Sequence, residues 1–456
     1  MPDQLNISSI YFIGIGGIGM SALARYFKSR GAAVSGYDKA ASPLTNQLEA
    51  EGIDVHYIED LELIPKKVDC IVYTPAVPAQ HAELTFYRNN GYRVVKRSDV
   101  LQWITENTFN ICIAGTHGKT TVSTMVAHIL RHSGYGCNAF LGGISANYGT
   151  NFWSNERAVA VIEADEYDRS FLKLSPDIAV ITAIDPDHLD IYGTAEEVEK
   201  AFQEFSGRLK QGGRLIYQSG IGNSNRFKTK NIISYSASDS SANVAAANIH
   251  LNNGTYFFDV MGKAFSIHNL MLTMGGRHNI ENAVASIIVA VQLGIEEQAI
   301  REALAEFKGV RRRFEYRWNE EGRVLIDDYA HHPEELRALI NGVRDIYPDE
   351  KIRLVFQPHL FSRTKDLAEG FAESLDLADE VILLPIYPAR ELPVEGVESV
   401  MIRDKMKKAI AHIMTRESCK EWINDTRPSL LVMAGAGDID QLINEVVNNY
   451  KNAKNA

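Results

Sequence analysis

The feature that most restricts how this chain can fold is a repeated step: a short apolar run, a glycine turn, then apolar residues at helical spacing. It appears at Ile10-Tyr11-Phe12-Ile13 before Gly14, and again at Phe109-Asn110-Ile111-Cys112-Ile113-Ala114 before Gly115. Strands that alternate with helices in this way build parallel sheets with helices packed over them. More strands are expected at Ala33–Tyr37 and Asp69–Tyr73, then at Val159–Ile162 and Ile178–Ile184. A last group falls at Val324–Ile326, Ile352–Phe356, Val381–Leu384 and Leu430–Met433. The chain has 456 residues, and at roughly 150 residues per domain it holds about three domains. The expected boundaries give residues 1–106, 107–310 and 311–456, all of the α/β class, with Glu106-Asn107-Thr108 as the first linker.

Within the second segment Val122, Met125, Val126, Ile129 and Leu130 recur on one helical face. Helices are also expected near Glu196–Leu209, after His278, and near Glu296–Phe307, while Ser236–Asn253 reads as a β-excursion or surface insertion. The longest apolar run, around Ala283 to Ile295, is too short for the roughly 18 residues of a membrane span and reads as a buried helix. Nothing in Met1 to Ser9 resembles a signal peptide. Cys70, Cys112, Cys137 and Cys419 lie far apart, as free thiols do in a reducing compartment, so a cytoplasmic location is expected. The net charge of −11 argues against a nucleic-acid or acidic-membrane partner, since no surplus of cations exists to neutralise phosphates. An anionic ligand has to be met by local groups.

Two stretches supply such groups. Gly14-Ile15-Gly16-Gly17-Ile18-Gly19 joins a strand to a helix, with Asp38 at the end of the next strand. Glycines there allow a tight turn under a diphosphate, and the acidic residue can reach a ribose hydroxyl. The pattern reads only the phosphates, so NAD and a UDP-sugar both fit it, and a bare strand-to-helix turn remains the alternative. Ala114-Gly115-Thr116-His117-Gly118-Lys119-Thr120-Thr121 is the second stretch. A full Walker A loop has a glycine where Ile113 stands, yet Gly-Lys-Thr at a helix start retains the chemistry. Backbone N–H groups wrap phosphate, Lys119 reaches the β- and γ-phosphates, and the Thr120 hydroxyl can ligate Mg²⁺. Glu163-Ala164-Asp165-Glu166-Tyr167-Asp168 and Asp185-Pro186-Asp187-His188-Leu189-Asp190 each end an apolar strand, offering the hard oxygens that Mg²⁺ prefers.

Taken in order, these strings resemble the Mur ligase family of ATP-dependent amide-forming enzymes. The family's Gly-Thr-x-Gly-Lys-Thr loop is matched by Gly115–Thr120, its acidic strand end by Glu163–Asp168, and its Asp-His-x-Asp by Asp187–Asp190. Its His-Asn-x-x-Asn-Ala motif is matched by His278–Ala283, and an Arg-Arg-Phe step by Arg312–Phe314. Asp327–Pro333 and Phe356–His359 match its C-terminal part.

The resemblance covers essentially the whole chain. It implies an N-terminal Rossmann-like domain for a UDP-sugar, a central P-loop-like ATPase domain, and a C-terminal Rossmann-like α/β domain for an amino acid. It implies ATP and Mg²⁺ as cofactors, with UDP-N-acetylmuramate and L-alanine as substrates, in peptidoglycan precursor synthesis. Carried over residue by residue, Gly115, Thr116, His117, Gly118, Lys119, Thr120, Thr121, Asn279, Asn282, Arg313 and Asp328 would meet ATP. Thr120, Glu163 and His188 would face the metal, and Lys119, Glu163, His188 and Arg313 would serve catalysis. Gly14, Gly16, Gly17, Gly19 and Asp38 would hold the UDP-sugar, and His332 and Arg363 the amino acid. Tyr167 stands where the family often has serine, and Leu360 where an arginine is common.

The same resemblance leaves the oligomeric state as monomer or dimer. Competing readings are an NAD-dependent oxidoreductase, a ligase that adds a preformed peptide, and a nucleotide-binding switch without turnover. His331-His332 lacks the companion spacing of a metal site, Arg311-Arg312-Arg313 reads as a solvated or nucleotide-facing turn, and Gly435-Ala436-Gly437-Asp438 as either another nucleotide loop or a tight turn closing the third sheet.

Overall fold

The computed structural model describes residues 5–186, 189–252, 254–389 and 391–455. It forms two compact units: Met1–Ile249 with Phe258–Leu272 and Glu281–Lys308, and a second made of His250–Phe257, Thr273–Ile280 and Gly309–Ala456. Three sheets run through them.

The first sheet has the order Asp54–His56, Ala33–Tyr37, Ser9–Ile13, Cys70–Tyr73, Val94–Lys96, and all its neighbours are parallel. The strand order reverses at Ser9–Ile13, so the glycine turn after Ile13 opens at a topological switch point, where doubly wound sheets leave a crevice. The helix Arg97–Asn107 then runs through the expected linker. Asn107 Nδ2 donates to the Trp103 carbonyl at 2.7 Å and Thr108 Oγ1 to that of Ile104 at 2.8 Å, so only Thr108 separates this helix from the strand Phe109–Ala114.

That strand is an interior strand of the second sheet, flanked by Ile178–Ile181 and Val159–Glu163, both parallel to it. The helix Lys119–His132 buries Val122, Met125, Val126, Ile129 and Leu130, each at most 1% exposed, as its spacing predicts. Burying side chains of this size is worth about 1.5–3 kcal/mol each. The strand expected to reach Ile184 stops at Ile181, because the Thr182 hydroxyl turns to the carbonyls of Ala114 and His117. The region read as an excursion is regular: Val244–Asn252, Thr255–Gly262 and Ser266–Leu272 extend the sheet. The apolar run after His278 is a buried helix, His278–Gln292.

Faces of the first and second sheets share one apolar core, running from Ile10 and Phe12 through Phe140 and Phe152 to Ala160 and Ile162. Tyr26 of the first helix, Ile18–Ser29, packs its ring against Phe140 and Phe152 at 5.3 and 6.2 Å.

In the second unit, Arg323–Asp328, Leu430–Ala434, Arg353–Phe356, Glu380–Leu383 and Ile410–Ile413 lie parallel. An antiparallel edge strand, Glu315–Glu320, joins them. Separate apolar clusters cover the two faces. One is built on Leu336, Leu339, Phe371 and Leu375, the other on Ile423, Ile439, Leu442 and Val446. Among the described residues no helix is long and apolar enough to cross a membrane.

Candidate active site

The phosphate loop starts where the strand Phe109–Ala114 ends. Gly118 precedes the helix Lys119–His132 with φ +81°, a left-handed conformation that a side chain disfavours. A Cβ there would also stand 2.8 Å from Asn282 Oδ1, which places Asn282 directly against the loop. Thr116 N–H donates to the Ala183 carbonyl at 3.1 Å, and the Asp185 N–H donates to Thr116 Oγ1 at 3.0 Å. His117 Nε2 lies 3.6 Å from Asp185 Oδ2. Thr121 is buried on the first turn of the helix.

Lys119 folds back toward the base of its own loop. Its Nζ donates to the Gly115 carbonyl at 2.5 Å and to Glu166 Oε1 at 2.8 Å. Lys119 is 15% exposed and Glu166 1%. Burial works against the Lys119 charge, but Glu166 outweighs it and holds the ammonium above its ordinary value. Burial pushes the Glu166 carboxyl up, with Lys119 pulling against it.

Three residues earlier, Glu163 accepts from Thr120 Oγ1 at 2.9 Å, Ser123 Oγ at 3.3 Å and the Gly142 N–H at 3.0 Å. Thr120 and Glu163, read as metal-facing, therefore stand side by side as hard oxygen donors, and the pair fits Mg²⁺, which takes few protein ligands beside phosphate and water. Among the described residues no group of three His, Cys, Asp or Glu side chains gathers as a metal cluster. His188, the third metal-facing residue, lies outside the described residues.

The glycine turn of the first sheet brings a residue that spacing does not reveal. Gly17 precedes the first helix, and a Cβ on Gly19 would overlap the Arg97 guanidinium. Arg97 Nη2 also lies 3.8 Å from Asp165 Oδ2, so one arginine touches both the glycine turn and the acidic turn. Gly14 N–H donates to the Tyr37 carbonyl at 2.8 Å. Asp38 accepts from the N–H groups of Gly16 and Lys39 at 2.7 and 2.8 Å, so its carboxylate closes the turn from below.

The second unit gathers its own polar groups at the carboxyl ends of its strands. Asp328 accepts from the N–H groups of Phe314 and Ala330, both at 2.7 Å, and burial lifts its carboxyl to about 6. The guanidinium carbons of Arg312 and Arg313 stand 5.1 and 5.3 Å from the Tyr329 ring centre. Arg313 reaches Glu335 at 3.7 Å. Arg312 Nη2 donates to the Gly435 carbonyl at 2.5 Å, tying the Gly435–Asp438 turn to the Arg-Arg-Phe step. His278 is exposed, and the nearby Arg313 guanidinium works against its imidazolium form. Asn279 Nδ2 donates to the Gly275 carbonyl at 2.6 Å.

His332 caps the helix Pro333–Ile346, its Nδ1 accepting from the Glu334 N–H at 3.4 Å. His331 turns elsewhere, with its ring 6.0 Å from that of His359. Burial, His331 and then Arg363 depress His359 to about 4, so Arg363 shares its surroundings with these two histidines. Leu360 opens the helix Phe361–Leu375 that carries Arg363 and has φ +70°, a strained backbone for a branched residue. Its N–H donates to the Tyr387 carbonyl at 2.9 Å, which holds the strained turn in place.

A glycine turn at a sheet switch point and a phosphate loop with its lysine and acidic strand end define an enzyme that binds nucleotides on mostly parallel sheets. The chain belongs to the Mur ligase family: the family's catalytic-domain, middle-domain and glutamate-ligase-domain models match residues 9–108, 113–290 and 312–437. UDP-N-acetylmuramate–L-alanine ligase of Porphyromonas gingivalis is 47% identical over 442 residues, 95% of this chain and 97% of that protein. The protein of that name from Christiangramia forsetii is 44% identical over 452 residues, 98% of each. The crystal structure of UDP-N-acetylmuramate–alanine ligase from Thermotoga maritima superposes with a TM-score of 0.83 at 28% identity, covering 98% of this chain and all of that one.

Proposed function

We propose that this enzyme joins L-alanine to the lactyl carboxylate of UDP-N-acetylmuramate, driven by ATP, in the cytoplasmic synthesis of peptidoglycan precursor. The observation that carries this reading is the phosphate loop: Lys119 and Thr120 stand against Glu166 and Glu163, in a chain near-collinear with relatives of that name. Residues 1–106 take the UDP-sugar, 107–310 the ATP and 311–456 the amino acid.

The lactyl carboxylate attacks the γ-phosphorus, the bond to the β-phosphate oxygen breaks, and ADP and an acyl phosphate result. The unprotonated amine of alanine then attacks the acyl carbon, and inorganic phosphate departs with the bonding pair. The chain's main task in the first step is positioning and charge neutralisation, because the transferred group is anionic throughout. The loop Gly115–Thr121 presents Lys119 and its N–H groups, apart from that of Thr116, to the phosphates, with Asn282 against the loop. Thr120 and Glu163 would hold Mg²⁺, with His188 as a further ligand, and the ion would add positive charge between the phosphates. Asn279, Arg313 and Asp328 serve the nucleotide. Arg97, with Gly14, Gly16, Gly17, Gly19 and Asp38, faces the diphosphate of the sugar nucleotide. Arg363 pairs with the acceptor carboxylate through its planar fork, with His332 beside it.

Phosphate release measured with UDP-N-acetylmuramate and a panel of acceptors tests the reading. L-Alanine should be fastest, with L-serine and glycine trailing, since one methylene separates substrates by only about 1–3 kcal/mol. Turnover with a preformed tripeptide and not with alanine would overturn it. Heavy oxygen placed in the lactyl carboxylate should appear in the released phosphate; label found in AMP would mean adenylation.

A further inference from the structure

The acidic turn contains one carboxylate for which the proposed reaction has no use so far. Glu163 faces Thr120 and Asp165 faces Arg97, whereas Glu166 is packed inward, 1% exposed, with Oε1 2.8 Å from Lys119 Nζ. Its backbone is fixed as well: the Glu166 carbonyl accepts from Tyr192 OH at 2.6 Å, and the Arg169 N–H donates to the same carbonyl at 2.9 Å. An ammonium has three donors. One goes to the Gly115 carbonyl and one to Glu166, while the third reaches the Thr116 carbonyl at 3.5 Å, a long contact that a phosphate oxygen can replace. Both anchors sit at the base of the loop, so they fix where the remaining donor stands relative to the loop's N–H groups.

Lysine is a flexible stem of four carbons, and locating its end point costs rotamer entropy each time a ligand arrives. A buried carboxylate that grips the ammonium beforehand removes that cost from the reacting complex. It also carries a price in affinity, because an anion beside the phosphates opposes nucleotide binding. A group built to bind ATP tightly would be neutral at this position. A carboxylate there makes sense when the exact location of the lysine matters more than the strength of binding.

We propose that Glu166 is a positioning residue of the reaction, holding the Lys119 ammonium between itself and the Gly115 carbonyl so that one donor meets the transferring phosphoryl group. The inference rests on the ligase reading for its turnover arm alone. In Glu166→Gln the kcat falls at least tenfold, while the KM for ATP stays level or drops. Loss of a merely structural residue would lower the amount of active enzyme and leave no such split between the two constants. Should Glu166→Gln fail to fold, Glu166→Asp takes its place; it keeps the charge but draws the carboxylate back by one methylene, and the same split is expected.

The dissociation constant of Mg-ATP, measured by calorimetry on the full chain without the other substrates, supplies the second arm. Glu166→Gln alone should tighten it or leave it unchanged. In a Lys119→Ala background the added Glu166→Gln should move it less than twofold beyond the relief of one negative charge seen in the single variant. Turnover within twofold of the parent for the folded Glu166 variant overturns the proposal. So does a several-fold weakening of Mg-ATP by Glu166→Gln when Lys119 is already absent, since the residue would then act on its own. A parent that releases no phosphate with any acceptor sinks the ligase reading instead, and the calorimetric arm still decides on Glu166.

Discussion

Removing the Lys119 ammonium affects two functions at once. Turnover should vanish in Lys119→Ala, since the ammonium that neutralises the transferring phosphoryl group is gone. Stability should fall as well, because breaking a buried pair by deleting one partner leaves an uncompensated charge, at a cost of about 3–5 kcal/mol. Denaturant unfolding checks this: Lys119→Ala/Glu166→Gln should be more stable than Lys119→Ala, and an equal or lower stability would contradict it. Arg97 gives a second residue-scale expectation. Arg97→Met keeps much of the stem but loses the charge beside Gly19 and Asp165, so the KM for the UDP-sugar should rise at least tenfold with the KM for ATP nearly unchanged. Equal changes in both would remove Arg97 from the sugar-nucleotide side. The lysine was legible in the sequence because two glycines and a threonine frame it at fixed spacing. Arg97 was not, since its partners Gly19 and Asp165 lie far away along the chain and only the fold brings them together.

Elements announce themselves when a period or a turn residue does. The helix Lys119–His132 was legible from its apolar stripe, and the helix after His278 from its unbroken apolar run. The edge strand Glu315–Glu320 was missed because Glu-Tyr-Arg-Trp-Asn-Glu has little apolar content, and an edge needs little. Its signal was the turn: Glu321 and Gly322 both have positive φ, +55° and +69°, as a tight two-residue hairpin demands.

Two predictions belong to the ends of helices. Gly118→Ala forces a side chain into the left-handed region, at about 1–2 kcal/mol, and pushes on Asn282. The melting temperature should drop and the KM for ATP should rise; an unchanged KM would mean that the loop does not need this geometry. At the far end of the helix Phe361–Leu375, burial disfavours the Asp376 charge, but the N–H groups of Lys408, Ala409 and Lys407 outweigh it and hold its carboxyl below 3.8. A depressed carboxyl contributes stability above its unfolded value and loses it as the pH falls through the folded one. Asp376→Ala should therefore be less stable than the parent at pH 7, and the gap should narrow as the pH is lowered below about 4. A gap independent of pH would show that the carboxylate's charge plays no part.

At the scale of the whole chain, the order of strands, turns and helices was legible because parallel α/β sheets repeat one local pattern. The grouping was less so, since the first two sheets share a core that no local pattern encodes. Ligands that bind only the folded form raise its stability with the logarithm of their concentration. UDP-N-acetylmuramate and ATP should each raise the melting temperature of the parent, and NADH should not; the reverse result would overturn the assignment of the glycine turn to a sugar nucleotide.

The passage from the helix Arg97–Asn107 into the second sheet consists of Thr108 alone, and it is held on both sides. The Thr108 carbonyl accepts from Lys210 Nζ at 2.7 Å, while Asn110 Nδ2 donates to the carbonyls of Thr105 and Ser175 at 2.9 and 3.1 Å. Amide hydrogens in such a segment exchange with solvent only when the surrounding core opens. Deuterium should therefore enter residues 105–112 as slowly as it enters the central strands, and a protease should find no bond there to cut.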